Sequence, residues 1–205
     1  MRSRNIWLLV LVSLAACKKN SVSDISSGEV FPNKVGDRWQ YLVKDTTIKG
    51  EVDSGSVQYN VDVVIVDTVK WSNGIVATLW QFSSPAGTDT NFVFQTGDTV
   101  RFMDKTNSYL VRQYLIPFNL GASWFYANGI FEVNVAGQAN LIVGGYNFRN
   151  VYEIYGNAGL PDAQLGINEW FADHIGLVKR FFNSDGELIF TRHNQEWTLI
   201  SYALK

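Results

Sequence analysis

Three features of this chain predict an all-β fold: apolar residues alternating with polar ones at period two, turn dipeptides between those runs, and a high aromatic content. The alternation is plainest where Val61, Val63 and Ile65 interleave with Asp62, Val64 and Val66. Similar runs recur at Gly74 to Phe82, Asn91 to Gln95, Tyr109 to Leu115, Phe131 to Val135, Tyr146 to Tyr155 and Glu187 to Arg192. Between them, Asn73-Gly74, Thr96-Gly97, Gly144-Gly145 and Ser184-Asp185-Gly186 supply the positive φ that tight hairpins need, so neighbouring strands are expected to be antiparallel. No long window beyond the N-terminus has helical periodicity, although Ala163 to Ile167 could hold one helical turn. The expectation is about ten to twelve strands in antiparallel sheets, arranged as a sandwich or an open half-barrel.

At 205 residues, 46% hydrophobic and 18% charged, the chain has the composition of one globular domain. Its 7 Trp, 9 Tyr and 13 Phe provide for a sizeable core. A net charge of -2, from 17 basic and 19 acidic residues, gives no electrostatic footprint for nucleic acid. One Cys and two His cannot make a disulfide and argue against a Cys/His metal site, so no metal and no cofactor are expected.

The N-terminus carries the sharpest motif. Met1 to Asn5 is a basic n-region, Ile6 to Leu14 an apolar stretch interrupted by Ser13, and Ala15-Ala16 the small residues that precede a signal-peptidase cut. As a helix, Ile6 to Ala16 would rise about 16 Å, roughly half the hydrocarbon thickness, which disfavours a permanent span. Leu14-Ala15-Ala16-Cys17 resembles the lipobox of bacterial lipoproteins; the plainer alternative is an ordinary secretory signal with a nearby Cys. The lipobox resemblance implies that residues 1–16 are removed between Ala16 and Cys17. Cys17 would then carry a diacylglyceryl group, with acyl chains such as palmitate, and become the mature N-terminus. Multiple acyl chains convert a soluble domain into a stably anchored one. Processing removes Arg2 and Arg4 and makes the mature chain mildly acidic.

Residues 17–31 read as the lipidated Cys and a Ser-rich flexible tether, and residues 32–205 as a single β domain. By resemblance to enterobacterial lipoproteins, Lys18 in place of Asp after the Cys favours transfer to the outer membrane by the lipoprotein processing and sorting machinery. Lys18-Lys19-Asn20 lacks the acidic residues associated with surface display in Bacteroidota, which leans the expectation towards the periplasmic face.

An internal repeat is expected from two clusters at an offset of 85 residues, Phe31-Pro32 through Trp39 and Tyr41, and Ile116-Pro117 through Trp124 and Tyr126. Both read apolar-Pro-x-x-apolar-Gly-x-x-Trp-x-Tyr, with Gly36 and Gly121 at the shared glycine. Pro sets φ at a strand entry, Gly allows a sharp turn, and Trp-x-Tyr puts two rings on one face of a strand. The clusters would open two related β-meanders, 32–115 and 117–205, with Trp39 and Trp124 as buried anchors. Asn91-Phe94 before Val100-Met103 further parallels Asn168-Phe171 before Val178-Phe181. Gly36, Trp39 and Tyr41, together with Gly176-Leu177-Val178-Lys179, resemble a group of Bacteroidota lipoproteins in which such a strand follows the tether and such a hairpin closes the domain. That group has no established activity, so the resemblance implies fold and location alone.

Candidate catalytic residues are few. Asp173 and His174 are neighbours that a strand would point to opposite faces, so they read as a hairpin corner, and His193-Asn194 reads as a turn. Ser123 lacks the second Gly of a nucleophile elbow, and Cys17 is consumed by lipid. Asn183 to Glu187 is too short for a calcium loop, and Gly156 to Asp162 reads as a surface loop without phosphate-binding residues. The expectation is therefore not an enzyme but a membrane-anchored envelope module that binds or carries a small apolar or glycan ligand on its aromatics. The alternative is a structural adaptor lipoprotein docking an envelope complex. An apolar cavity favours the first reading, and a filled core with a flat exposed patch favours the second.

Overall fold

The computed structural model describes residues 31–49, 52–106, 109–160, 163–186 and 191–205. The expected signal peptide, Ala16, Cys17 and the tether as far as Val30 lie outside the described residues. Twelve strands follow one another: β1 (Arg38–Lys49), β2 (Val52–Lys70), β3 (Val76–Ser84), β4 (Gly87–Thr96), β5 (Thr99–Asp104), β6 (Leu110–Leu115), β7 (Ser123–Tyr126), β8 (Phe131–Val143), β9 (Tyr146–Leu160), β10 (Ala163–Ala172), β11 (Gly176–Gly186) and β12 (Thr191–Ala203). There is no helix among the described residues.

All pairings are antiparallel, and the order is β6-β5-β4-β3-β2-β1-β12-β11-β10-β9-β8-β7. Where a sandwich would need two separate sheets, β1 pairs with β12 and joins two six-stranded meanders into one sheet. The sheet curls until its edges, β6 and β7, approach each other without forming a ladder, leaving a nearly closed barrel. One hydrophobic core runs through this sheet among the described residues.

Several local expectations change. Ala163 to Ile167 is strand β10 and not a helical turn, because it completes ladders with both β9 and β11. Gly156 to Leu160 extends β9 instead of forming a surface loop, and 161–162 lie outside the described residues. Ser184-Asp185-Gly186 ends β11, so the β11–β12 connection falls within 187–190, also outside the described residues. His193 lies within β12, paired with Thr47, and is not in a turn. The other three turns hold: Gly74, Gly97 and the Gly144-Gly145 pair all have positive φ. At Gly144 the need is also steric, since a Cβ would lie 1.9 Å from the Leu199 carbonyl oxygen where the β8–β9 hairpin folds onto β12.

About eight strands already make an interior that side chains just fill, and barrel diameter grows with strand number. A twelve-stranded sheet therefore needs large rings to close one end. Up-and-down topology puts the β2–β3, β4–β5, β6–β7, β8–β9 and β10–β11 connections at the same end as the start of β1. At that end Phe31, Trp39, Trp80, Phe102, Tyr114 and Phe171 form a continuous aromatic plug. Trp39 stacks on Trp80 at 5.0 Å and 14°. Phe31, at the expected end of the tether, is buried in this plug.

The two clusters head the two meanders with matching local geometry. Gly36 and Gly121 have φ of 96° and 79°, and their amides donate to Ile65 and Val135 carbonyls at 2.8 and 3.0 Å. Asp37 and Ala122, which follow them, donate to Lys34 and Asn119 at 3.0 and 2.9 Å. Trp39 and Trp124 are 3% and 6% exposed, and Tyr41 and Tyr126 are buried as well. Their surroundings differ: the Trp39 indole donates to the Ile175 carbonyl at 2.7 Å, and that of Trp124 donates to the Gln113 carbonyl at 2.9 Å. Ile116-Pro117 is cis. Truncating either buried Trp to Ala is expected to cost about 3 to 5 kcal/mol. Urea titration of the chain from Lys18 onward should show a sharply lowered midpoint for Trp39→Ala and Trp124→Ala; an unchanged midpoint for either would remove that ring from the scaffold.

Candidate ligand-binding site

The opposite end of the barrel is not plugged. A cleft of about 670 Å³ opens there, walled by Tyr59, Phe82, Phe102, Phe182 and Trp197, with Arg112 and Arg180 at its floor. Ser84, Thr88, Asp89, Asn91 and Gln195 supply its polar groups. Its size falls within the roughly 300 to 1,000 Å³ typical of small-molecule pockets.

Strand register builds the floor. Glu169 on β10 lies directly opposite Arg180 on β11, which lies opposite Trp197 on β12, which in turn faces Val43 on β1. Cross-strand neighbours on one face sit within side-chain reach, so this row brings a carboxylate, a guanidinium and an indole into contact. Arg180 Nε donates to Glu169 Oε1 at 2.8 Å, and the guanidinium lies over the Trp197 ring, 4.9 Å from its centroid. From the far edge of the sheet β6 contributes two residues spaced i, i+2 on one face. Arg112 Nη1 donates to Glu169 Oε1 at 3.2 Å, and the Tyr114 hydroxyl donates to Oε2 at 2.7 Å. Glu169, Arg180 and Tyr114 are buried, while the Arg112 side chain is 25% exposed.

Burial raises the Glu169 carboxyl above its ordinary value, and the Arg112 charge and the Tyr114 hydroxyl bond oppose that rise. Burial alone would lower Arg112, but Glu169 and Tyr114 outweigh it and raise the guanidinium. Tyr114 is pushed well above the ordinary phenol range, first by burial and then by the Glu169 charge. Burial likewise pushes Tyr126 up to about 12, against the lowering effect of Arg112.

The residues singled out from sequence as chemistry-bearing do not assemble here. Asp173 and His174 sit in the β10–β11 turn at the plugged end, His174 with φ of 59°, and they contact each other at 3.4 Å as a corner pair. His193 meets Thr47 Oγ1 at an exposed position 3.3 Å away. Ser123 is exposed at the start of β7. The repeat anchors Pro32, Gly36, Trp39, Pro117, Gly121 and Trp124 belong to the closed end and the seam, and Tyr41 supports the site from behind, 5.6 Å from Trp197. Among the described residues no group of three His, Cys, Asp or Glu side chains could hold a metal ion. The cleft charges do carry a signal in the sequence: Arg112, Glu169 and Arg180 each stand at the inward parity of their strand, between Leu110 and Tyr114, Ile167 and Phe171, and Val178 and Phe182.

No family model matches this chain, and no curated protein matches it. Among solved structures it is similar to a protein provisionally described as a lipoprotein from Parabacteroides distasonis, at 12% identity and a TM-score of 0.46. A second is an exported protein with a YmcC-like fold from Bacteroides fragilis, at 11% identity and a TM-score of 0.41. Each comparison covers 85% of this chain and 98% of the other. Likeness at that level carries neither fold nor function across, and the reading of the cleft rests on its own geometry.

The raised phenols predict an alkaline weakness. Between the ordinary 10.0 and about 12 the unfolded chain has lost the Tyr126 proton that the folded chain keeps, so stability falls as pH rises through that window. Tyr126→Phe should flatten this fall in denaturant titrations across that range; an unchanged slope would show that Tyr126 is not held in its neutral form by the fold.

Proposed function

We propose that this protein is a cell-envelope lipoprotein, anchored through Cys17 at the periplasmic face of the outer membrane, that binds a small ligand in the open end of its barrel without chemical conversion. The observation that carries the reading is the unplugged, aromatic-walled cleft at the end of a barrel whose other end is filled by rings. A core packed at both ends would have favoured the adaptor reading. Polarity of the chain supports the same view: Phe31 enters the plugged end, so a tether running from Cys17 would leave the mouth facing away from the bilayer. A soluble ligand could then reach it. The adaptor reading keeps one observation, the exposed Phe125 and Ile130 beside the unpaired edge of β7.

Between an apolar ligand and a glycan, the walls favour the apolar one. Sugar binding would use a free aromatic face, but Trp197 is covered by Arg180 on one side and abutted by Tyr41. Phe82 is stacked on Trp80 at 6.5 Å. The experiment is titration of the chain from Lys18 onward with the neutral apolar dye Nile red. Saturable uptake with blue-shifted emission is expected, weakened about tenfold or more by Asn91→Trp, which places a bulky ring inside the cleft. Absence of saturable uptake, or uptake indifferent to Asn91→Trp, would overturn the binding reading in favour of the adaptor.

A further inference from the structure

We propose that the floor of the cleft receives the carboxylate of a long-chain fatty acid, whose tail lies along the aromatic wall. This inference rests on the binding reading above and adds the class of the ligand. Its first support is charge stoichiometry. Two guanidinium groups share one buried carboxylate, Glu169, at 3.2 and 2.8 Å, so the floor holds one positive charge more than it neutralises. Asp89 is the other carboxylate lining the cleft, and it stands exposed near the β3–β4 turn, at the rim and not at the floor.

The second support is the donor inventory. An arginine carries five N–H donors. Arg112 engages Glu169 through Nη1 and also bonds the Tyr114 hydroxyl, and Arg180 engages Glu169 through Nε, so each guanidinium keeps further N–H donors beyond these contacts. Glu169 is already engaged on both oxygens, Oε1 accepting from both arginines and Oε2 from the Tyr114 hydroxyl. Guanidinium donors held in place by an existing ion pair are oriented before a ligand arrives, which lowers the ordering cost of binding an anion. At a partly buried site such charge-assisted bonds are stronger than their counterparts in open water.

The third support is the shape of the chemistry around that charge. From the two arginines outward the cleft offers Phe102, Phe82, Tyr59 and Phe182, surfaces suited to a flexible apolar chain. A single anionic head at the floor with an apolar tail pointing towards the mouth matches this order. The rim carboxylate of Asp89 opposes a second negative charge at the tail end, so a monoacid fits better than a diacid.

The test compares dodecanoate with dodecanol, which share a tail and differ in the head, by titration calorimetry on the chain from Lys18 onward at neutral pH. Dodecanoate should bind about tenfold tighter or more. In Arg112→Gln the ratio should fall to near one, and Arg112→Lys should retain most of the preference. Equal binding of acid and alcohol, or an acid preference that survives Arg112→Gln, overturns the inference while leaving an apolar binding site in place. Failure of both to bind overturns the binding reading itself. Should Arg112→Gln not fold, NMR of carboxyl-labelled dodecanoate on the unsubstituted chain decides the matter. The bound carboxyl should titrate below its value free in solution, and an unchanged or raised value would count against the cationic floor.

Discussion

The buried carboxylate of Glu169 gathers side chains from both halves of this barrel, Arg112 and Tyr114 from the first and Arg180 from the second. Ladders join eleven pairs of neighbouring strands, but none joins β6 to β7, and a sheet edge left open is free to fray. Across that gap Tyr114 and Arg112 of β6 reach Glu169 of β10, and Trp124 of β7 donates to the Gln113 carbonyl of β6. Three side-chain bonds thus replace a ladder. Their strength depends on being buried together: removing one partner from a buried ion pair typically costs about 3 to 5 kcal/mol, because the other charge is left uncompensated. The same carboxylate sets the position of Arg180, and through it the orientation of Trp197 in the wall of the cleft.

The closed and open ends follow from one geometric limit. Twelve strands enclose more width than aliphatic side chains span, so the closed end is built from stacked and edge-on rings, and the aromatic richness of the chain is largely a consequence of strand number. Above the plug, the interior changes from rings to the Glu169 cluster and then to open space. Charged groups at that boundary touch both a low-dielectric core and the lumen. A seam closed by polar groups and a lumen with a charged floor are therefore two aspects of the same few residues.

Much of the fold can be read locally. Period-two alternation marks strands because successive side chains alternate faces, and Gly36 and Gly121 mark the turns at the head of each meander because both adopt positive φ. The Asn91-Phe94 and Asn168-Phe171 segments, paired in the sequence, lie in β4 and β10, each the fourth strand of its half of the sheet. What fails is the reading of Gly156 to Asp162 as a surface loop and of Ala163 to Ile167 as a helical turn: Gly156 and Gly166 are inside strands, Gly166 with the Asn183 side chain of β11 where a Cβ would lie. Pairing of β1 with β12 could not be read locally, since the two strands are separated by nearly the whole chain. The binding site escaped for a related reason. Arg112, Glu169 and Arg180 are each visible as charges at inward positions, yet only closure of the sheet places them on one another.

The most direct test of the Glu169 clasp is hydrogen exchange of the β6 amides, Leu110 to Leu115, in the native chain and in Glu169→Gln. The clasp predicts that loss of the carboxylate charge accelerates exchange in β6 while the β1–β12 ladder keeps its protection. Unchanged exchange in β6, or an equal loss of protection across the whole sheet, would contradict a seam held closed by Glu169.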